Sequence, residues 1–143
     1  MTQSASELSI GQVVERTGLS VHALRFYERE GLLIGPVRRN SSGRRVYRQL
    51  DVEWLVNCTK FRASGMPLAT IRHLAELVRR GPGNEDERLA LLREHQRQVV
   101  DRINELTSCL DLINHKVEVY EEHVSNGTAS GLWNLPKAIE EAG

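Results

Sequence analysis

Four arginines stand in two pairs, Arg38-Arg39 and Arg44-Arg45, on either side of the short polar stretch Asn40-Ser41-Ser42-Gly43. Like charges held this close repel and oppose folding. A row of phosphates relieves the repulsion, and binding it releases condensed counterions. The chemistry these residues suit is the gripping of a polyanion. The plainer alternative is a solvated basic loop. Apolar Leu32-Leu33-Ile34 and Gly35-Pro36 precede the pairs, and Val46-Tyr47 follows them, so the segment reads as a β-hairpin with a glycine-containing tip.

Directly before the hairpin lie His22, Arg25 and Tyr27, spaced along one short apolar-periodic run. His22 and Arg25 suit a major groove or its phosphates. Tyr27 reads either as a phosphate donor or as a packed aromatic, and Arg25 either as a phosphate clamp or as an ion-pair partner of Glu28 or Glu30. Thr17, Ser20 and Tyr47 join the candidate DNA contacts, with Lys60 and Arg62 further along. Cys58 is the possible sensor. It reads either as a small buried hydrophobe or as a thiol activated by Lys60 and Arg62. Cys109 flanks an apolar seam. A soft-metal site needs clustered soft ligands, which Gly81–Arg88 and the segment after Val124 do not offer. His95, His115 and His123 are scattered along one helix. No metal, iron–sulfur cluster or other cofactor is expected.

The elements that must position these groups are helical. Ser9 and Gln12 have capping-box spacing at the start of a first helix. Gly18 breaks it, Ser20 caps a second helix over Val21–Glu30, and Gly31 ends that one. Two short helices around Thr17-Gly18-Leu19-Ser20 match a helix-turn-helix, and a hairpin directly after it is a wing. Asp51 is expected to cap a third helix running to about Ala63. Pro67 suits the first turn of a fourth, with Leu68, Ile71, Leu74, Leu77 and Val78 inward. Gly81-Pro82-Gly83 breaks the chain.

Beyond the break, Asn84 caps a long helix with Glu85, Asp86 and Glu87 at its positive end. Leu89, Leu92, Gln96, Val99, Ile103, Leu106, Leu110, Ile113, Val117, Tyr120 and Val124 recur at alternating steps of three and four, about 3.5 on average, as in a coiled coil. A helix this long needs a partner, most simply a second copy. Ser125-Asn126-Gly127 stops it. In the tail, Leu132, Trp133 and Leu135 are expected to dock, with a further turn or two over Ala138–Ala142.

The 143 residues carry no net charge, yet residues 1–80 hold 13 Lys/Arg against 7 Asp/Glu, and residues 81–143 hold 6 against 12. The basic half suits nucleic acid. Two cysteines make no disulfide framework. No apolar run reaches the roughly 18 residues of a membrane span, and MTQSASELS lacks the features of a secretion signal. A reducing cytoplasm is the expected setting.

The string Ser9-Ile10-Gly11-Gln12, Thr17-Gly18-Leu19-Ser20-Val21, Leu24-Arg25-Phe26-Tyr27-Glu28, Gly31-Leu32-Leu33, Arg38-Arg39 to Arg45-Val46-Tyr47 and Asp51-Val52 resembles the opening of the MerR-type transcription regulators. The likeness spans about residues 8 to 124. It implies a mainly α protein: a winged helix-turn-helix head, a second helix pair, and an antiparallel coiled coil joining two subunits. It also implies pseudo-palindromic promoter DNA that the dimer bends and untwists so that RNA polymerase can use misaligned elements, with protein contacts offsetting the deformation energy. The rod, Trp54-Leu55 and Gly65-Met66-Pro67 resemble the subgroup linked to aldehyde and thiol stress. Thiol-dependent members of that subgroup carry a cysteine where this chain has Lys60. Cys58 lies two residues earlier, about 200° round a helix, at a position that is normally aliphatic in the family.

The domains expected are therefore a DNA-binding head over 8–80, a dimerisation coiled coil over 84–124 and a short tail over 125–143. The function expected is a homodimeric DNA-binding transcriptional regulator in the cytoplasm, not an enzyme, with promoter DNA, itself and RNA polymerase as partners. A constitutive architectural DNA binder without an inducer is the alternative. A protein–protein scaffold with incidental head charge is a third reading.

Overall fold

The computed structural model describes residues 7–133. Strand β1 (Leu8–Ser9) leads into helices α1 (Ile10–Thr17) and α2 (Val21–Arg29). Strands β2 (Arg38–Arg39) and β3 (Arg45–Tyr47) follow, then α3 (Gln49–Ala63), α4 (Leu68–Arg79), α5 (Glu85–Asn126) and a 3₁₀ turn at Ala129–Gly131. The chain divides into two compact units, residues 1–99 and 100–143.

In the first unit, local hydrogen bonding sets the helix ends. Ser9 Oγ accepts the Gln12 N–H at 3.2 Å and the Ser9 N–H donates to Gln12 Oε1 at 2.8 Å, a reciprocal capping box. Ser20 Oγ accepts the Ala23 N–H at 3.0 Å and starts α2. Gly31, at φ 71°, ends α2 in a left-handed turn that closes with the Leu32 N–H on the Tyr27 carbonyl at 3.0 Å. Helix α3 begins three residues earlier than expected, with Arg48 in place of Asp51 at the cap position. The Asp51 carboxylate accepts the Arg48 N–H at 2.8 Å from inside the first turn, so Asp51 is a reaching-back residue and not the cap itself.

The wing is a three-stranded antiparallel sheet of order β1-β3-β2, not a bare hairpin. Leu8 pairs with Tyr47 and Ser9 with Val46 on one edge; Arg38 pairs with Val46 and Arg39 with Arg45 on the other. At the tip, Asn40 Oδ1 accepts the N–H groups of Ser42 (2.9 Å) and Arg44 (3.1 Å). This side-chain turn fixes the loop locally.

The core closes on Val13, Leu24, Leu32, Leu55, Cys58, Met66, Ile71 and Leu77, all fully buried. Ala75 joins Ile71, Leu74 and Leu77 on the buried side of α4, while Leu68 and Val78 are half-buried. Gly81 and Gly83, at φ 84° and 114°, do break the helix. The break does not end the packing, and the first compact unit runs on to Val99. Leu91 of α5 packs on the core. Arg88 donates to the Gly81 carbonyl (2.8 Å), Asn84 Nδ2 to the Leu77 carbonyl (2.9 Å), and His95 Nε2 lies 2.8 Å from Ser64 Oγ. Asn84 Oδ1 takes Arg88 Nε at 2.6 Å.

In the second unit, α5 continues to Asn126 and no described residue from Val100 to Trp133 is buried. Gly127, at φ 72°, stops the helix with the Thr128 N–H on the His123 carbonyl at 2.8 Å. Trp133 is not docked in a core. Its ring is mostly exposed and lies 4.7 Å from Lys116 Nζ. Leu135 and Ala138–Ala142 lie outside the described residues.

Candidate nucleic-acid interface

Pairing of β1 with β3 brings the N-terminus of α1 against the wing. Ser9, Ile10, Gly11, Arg25, Arg39, Gly43, Arg44 and Arg45 line an open cleft of about 480 Å³ there. Four arginines line the cleft beside the positive end of a helix whose first-turn amides lack carbonyl partners a turn earlier. The arrangement suits a phosphate. Among the described residues, no ion pair is recorded for Arg25 or Arg44, and both are exposed. Arg45 is held by Glu28, Nε to Oε1 at 3.0 Å, and Arg39 Nη1 donates to the Gly43 carbonyl at 2.7 Å. Glu28 thus pairs with Arg45 and Glu30 with Arg72, which leaves neither as the partner weighed for Arg25.

Next to the cleft, α2 turns Leu24 and Tyr27 into the core and leaves Val21, His22, Arg25 and Arg29 exposed. This face carries a hydrogen-bonding imidazole, a guanidinium and the branched methyls of Val21. Those are groups that can meet base edges, phosphates and a thymine methyl.

Several candidates are placed elsewhere. Tyr27 and Tyr47 are buried, 8% and 3% exposed, so they are packed aromatics. Burial pushes both phenols up from the ordinary value, as Cys58 also does for Tyr27 and Glu28 for Tyr47. The Thr17 hydroxyl is used in the turn. It donates to the Val13 carbonyl at 2.7 Å and accepts the Leu19 N–H at 3.1 Å. Ser20 is exposed, with its hydroxyl engaged in capping. Arg38 is exposed on β2 outside the cleft lining. Lys60 and Arg62 are exposed on α3 and do not line the cleft either; Arg62 Nη1 donates to the Met66 carbonyl at 3.2 Å.

Cys58 is fully buried, and burial pushes its thiol up to about 12, so it is the inert alternative and not an activated thiolate. Cys109 is exposed. The described residues contain no cluster of three or more potential metal ligands, and no helix among them is long and apolar enough to cross a membrane.

Sequence reasoning missed Ser9, Ile10 and Gly11 as cleft residues. The Ser9–Gln12 box marks a helix start, but only the strand pairing shows what that start faces. It also missed Arg48, which stands between the wing and α3 and whose guanidinium would lie 2.7 Å from a Cβ at Gly35.

The MerR HTH family regulatory protein profile matches residues 8–77, and the MerR, DNA binding profile matches residues 53–115. An uncharacterized HTH-type transcriptional regulator of Haemophilus influenzae is 33% identical over 129 residues, covering 90% of this chain and 94% of its own. The solved structure of HiNmlR, a MerR family regulator lacking the sensor domain, bound to promoter DNA, is similar at TM-score 0.75 and 31% identity, over 88% of this chain and 99% of that one. A putative MerR family transcriptional regulator from Listeria monocytogenes is similar at TM-score 0.79 and 28% identity, over 86% and 92%.

Proposed function

The chain belongs to the MerR family of helix-turn-helix transcriptional regulators, DNA-binding proteins, and from that membership we propose that it acts as a homodimer on pseudo-palindromic promoter DNA. Each subunit offers the exposed face of α2 to a major groove. Arg25, Arg39, Arg44 and the N-terminus of α1 hold a phosphate beside it. Arg45 is a phosphate contact once it exchanges Glu28 for DNA. The observation that carries this reading is the arginine-lined cleft adjoining the exposed face of α2.

Dimerisation is supported by the apolar stripe of α5. Leu89, Leu92, Ile103, Leu106, Leu110, Ile113, Val117 and Tyr120 are all exposed, with Val99 half-buried. Two such stripes cover each other in a coiled coil. A dimer then sets its two α2 helices on successive major grooves, about 34–36 Å or a multiple apart. Distortion of the duplex between them, to the benefit of RNA polymerase, is the regulatory step we infer. A cytoplasmic, non-enzymatic role accords with that step.

Inducer sensing through Cys58 forms no part of the proposal, given its burial. The same burial, and the likeness to a regulator described as lacking a sensor domain, favour a second reading: a constitutive DNA binder. Footprinting of the purified dimer on promoter DNA tests both. Protection confined to one operator, with altered reactivity at its centre, is expected of a regulator. Uniform coating without sequence preference defeats it in favour of an architectural role.

A further inference from the structure

Between the end of α2 and the wing, four consecutive backbone carbonyls are each held by a side chain from the second helix pair. Arg72 of α4 donates from Nε to the Glu30 carbonyl at 2.8 Å, and its Nη2 pairs with Glu30 Oε1 at 3.2 Å. Arg79, two turns on, donates from Nη1 to the Gly31 carbonyl at 3.3 Å and also to the Leu33 carbonyl. Trp54 of α3 donates its indole N–H to the Leu32 carbonyl at 2.7 Å. The segment lies between α2 and β2, outside helix and strand, so these side chains satisfy carbonyls that no ladder of backbone hydrogen bonds supplies with a donor.

The arrangement is directional. Guanidinium forks are planar and fixed, and they hold their acceptors more tightly than a flexible ammonium does. The clamped segment joins the exposed helix to the wing, so its conformation sets the angle between the two surfaces that flank the arginine cleft. Arg72 and Arg79 count toward the basic balance of the head, yet their donors point at this chain's own backbone.

We propose that Arg72 and Arg79, with Trp54, are positioning residues that set operator selectivity by fixing the end of α2 relative to the wing, without touching DNA. The proposal rests on reading α2 as the helix that meets the groove. A misaligned α2 still finds phosphates but no longer registers base edges and backbone together. Selective affinity therefore falls while the charge-driven affinity stays.

The test uses the full chain carrying Arg72→Lys with Arg79→Lys, which keeps both charges and removes both forks. Affinity is measured over a salt series for an operator duplex found by footprinting and for a random duplex. Operator affinity is expected to fall by about tenfold to a hundredfold, the scale of a few hydrogen bonds to charged groups, while random-duplex affinity and both salt slopes hold. Equal losses on the two duplexes, or no loss on either, overturn the proposal. So does a shallower salt slope in the Arg→Ala versions, since that marks a phosphate contact. Trp54→Phe, which removes one donor and retains an aromatic, is expected to lower the same selectivity if the double variant does not fold; unchanged selectivity in it overturns the clamp. His22→Ala, on the exposed face of α2, serves as the reference. If it lowers selectivity and the lysine variant does not, the clamp has failed. If it leaves selectivity unchanged, the reading of α2 has failed.

Discussion

Residues up to Val99 and residues from Val100 onward treat apolar side chains in opposite ways. The first unit turns Leu24, Leu32, Leu55 and Ile71 inward until each is at most 1% exposed. The second leaves Leu106, Leu110 and Ile113 more than half exposed along a helix. Both obey the same periodic logic, apolar positions recurring on one helical face. They differ in where the covering surface comes from. The head has four other helices and a small sheet within a hundred residues. Among the described residues the later stretch offers one helix and a short 3₁₀ turn, and a single helix cannot cover its own stripe. The contrast teaches that the first unit buries its own apolar faces, whereas the described residues of the second leave theirs uncovered, which is the face on which the proposed dimer rests.

The largest test breaks the second half of that contrast. Leu106→Asp with Leu110→Asp removes four large apolar side chains from a two-fold interface, on the order of 8 kcal/mol at about 2 kcal/mol each. Sedimentation is expected to show a monomer, with operator binding lost and the head's near-ultraviolet circular dichroism retained. A double variant that stays dimeric places the interface elsewhere.

A smaller effect is expected from breaking the first half. Leu55→Ala leaves a cavity in the middle of the head and costs about 2–5 kcal/mol. Denaturant unfolding followed through Trp54 should show this in the midpoint. The same substitution at Leu106, which a single chain leaves mostly exposed, should leave the head's midpoint unchanged.

Arg44→Ala sharpens the comparison at the DNA surface. The arginine is exposed and lines the cleft, so its loss from both subunits should lower the salt slope of binding by about 1.8, about 0.9 for each phosphate contact. A retained slope would assign the contact to its neighbours.

The smallest effect at neutral pH concerns the two cysteines, one in each unit. Cys58 ionises at about 12 when folded against an ordinary 9.0, because burial penalises the thiolate. Below about 9 the thiol keeps its proton in both folded and unfolded chains, and its contribution is flat. As pH rises from about 9 toward 12, only the unfolded chain gives up the proton, so stability declines by at most about 1.4 kcal/mol per pH unit. Cys58→Ala should flatten that limb of the pH–stability curve. Native-state alkylation should correspondingly label exposed Cys109 and spare Cys58.

The Ser9–Gln12 box, the Ser20 cap, and the glycines that end α1 and α2 were legible residue by residue, as was the stripe on α5. Each depends on groups three or four positions apart. Tyr27 was ambiguous because a helix face alone does not say which side another helix covers. Asp51 was misassigned as a cap because a carboxylate near a helix start can serve from the cap or from inside the first turn. Strand β1 was invisible: two residues carry no period, and only Val46 and Tyr47, nearly forty positions away, make Leu8–Ser9 a strand. The break at Gly81-Pro82-Gly83 was plain, but not the return of Leu91 and His95 to the head beyond it.

By itself, then, the sequence determined the helices, the caps of α1 and α2, the turn of the wing and the apolar stripe along α5, because those follow from hydrogen bonds and periodicities among near neighbours. Tertiary structure alone decided which arginine is exposed and which is engaged. Arg45 meets a carboxylate 17 positions away, and Arg72 meets one 42 away. A guanidinium's chemistry is the same at every site. Its role depends on the acceptor that folding brings within about 3 Å, and no local pattern encodes that encounter.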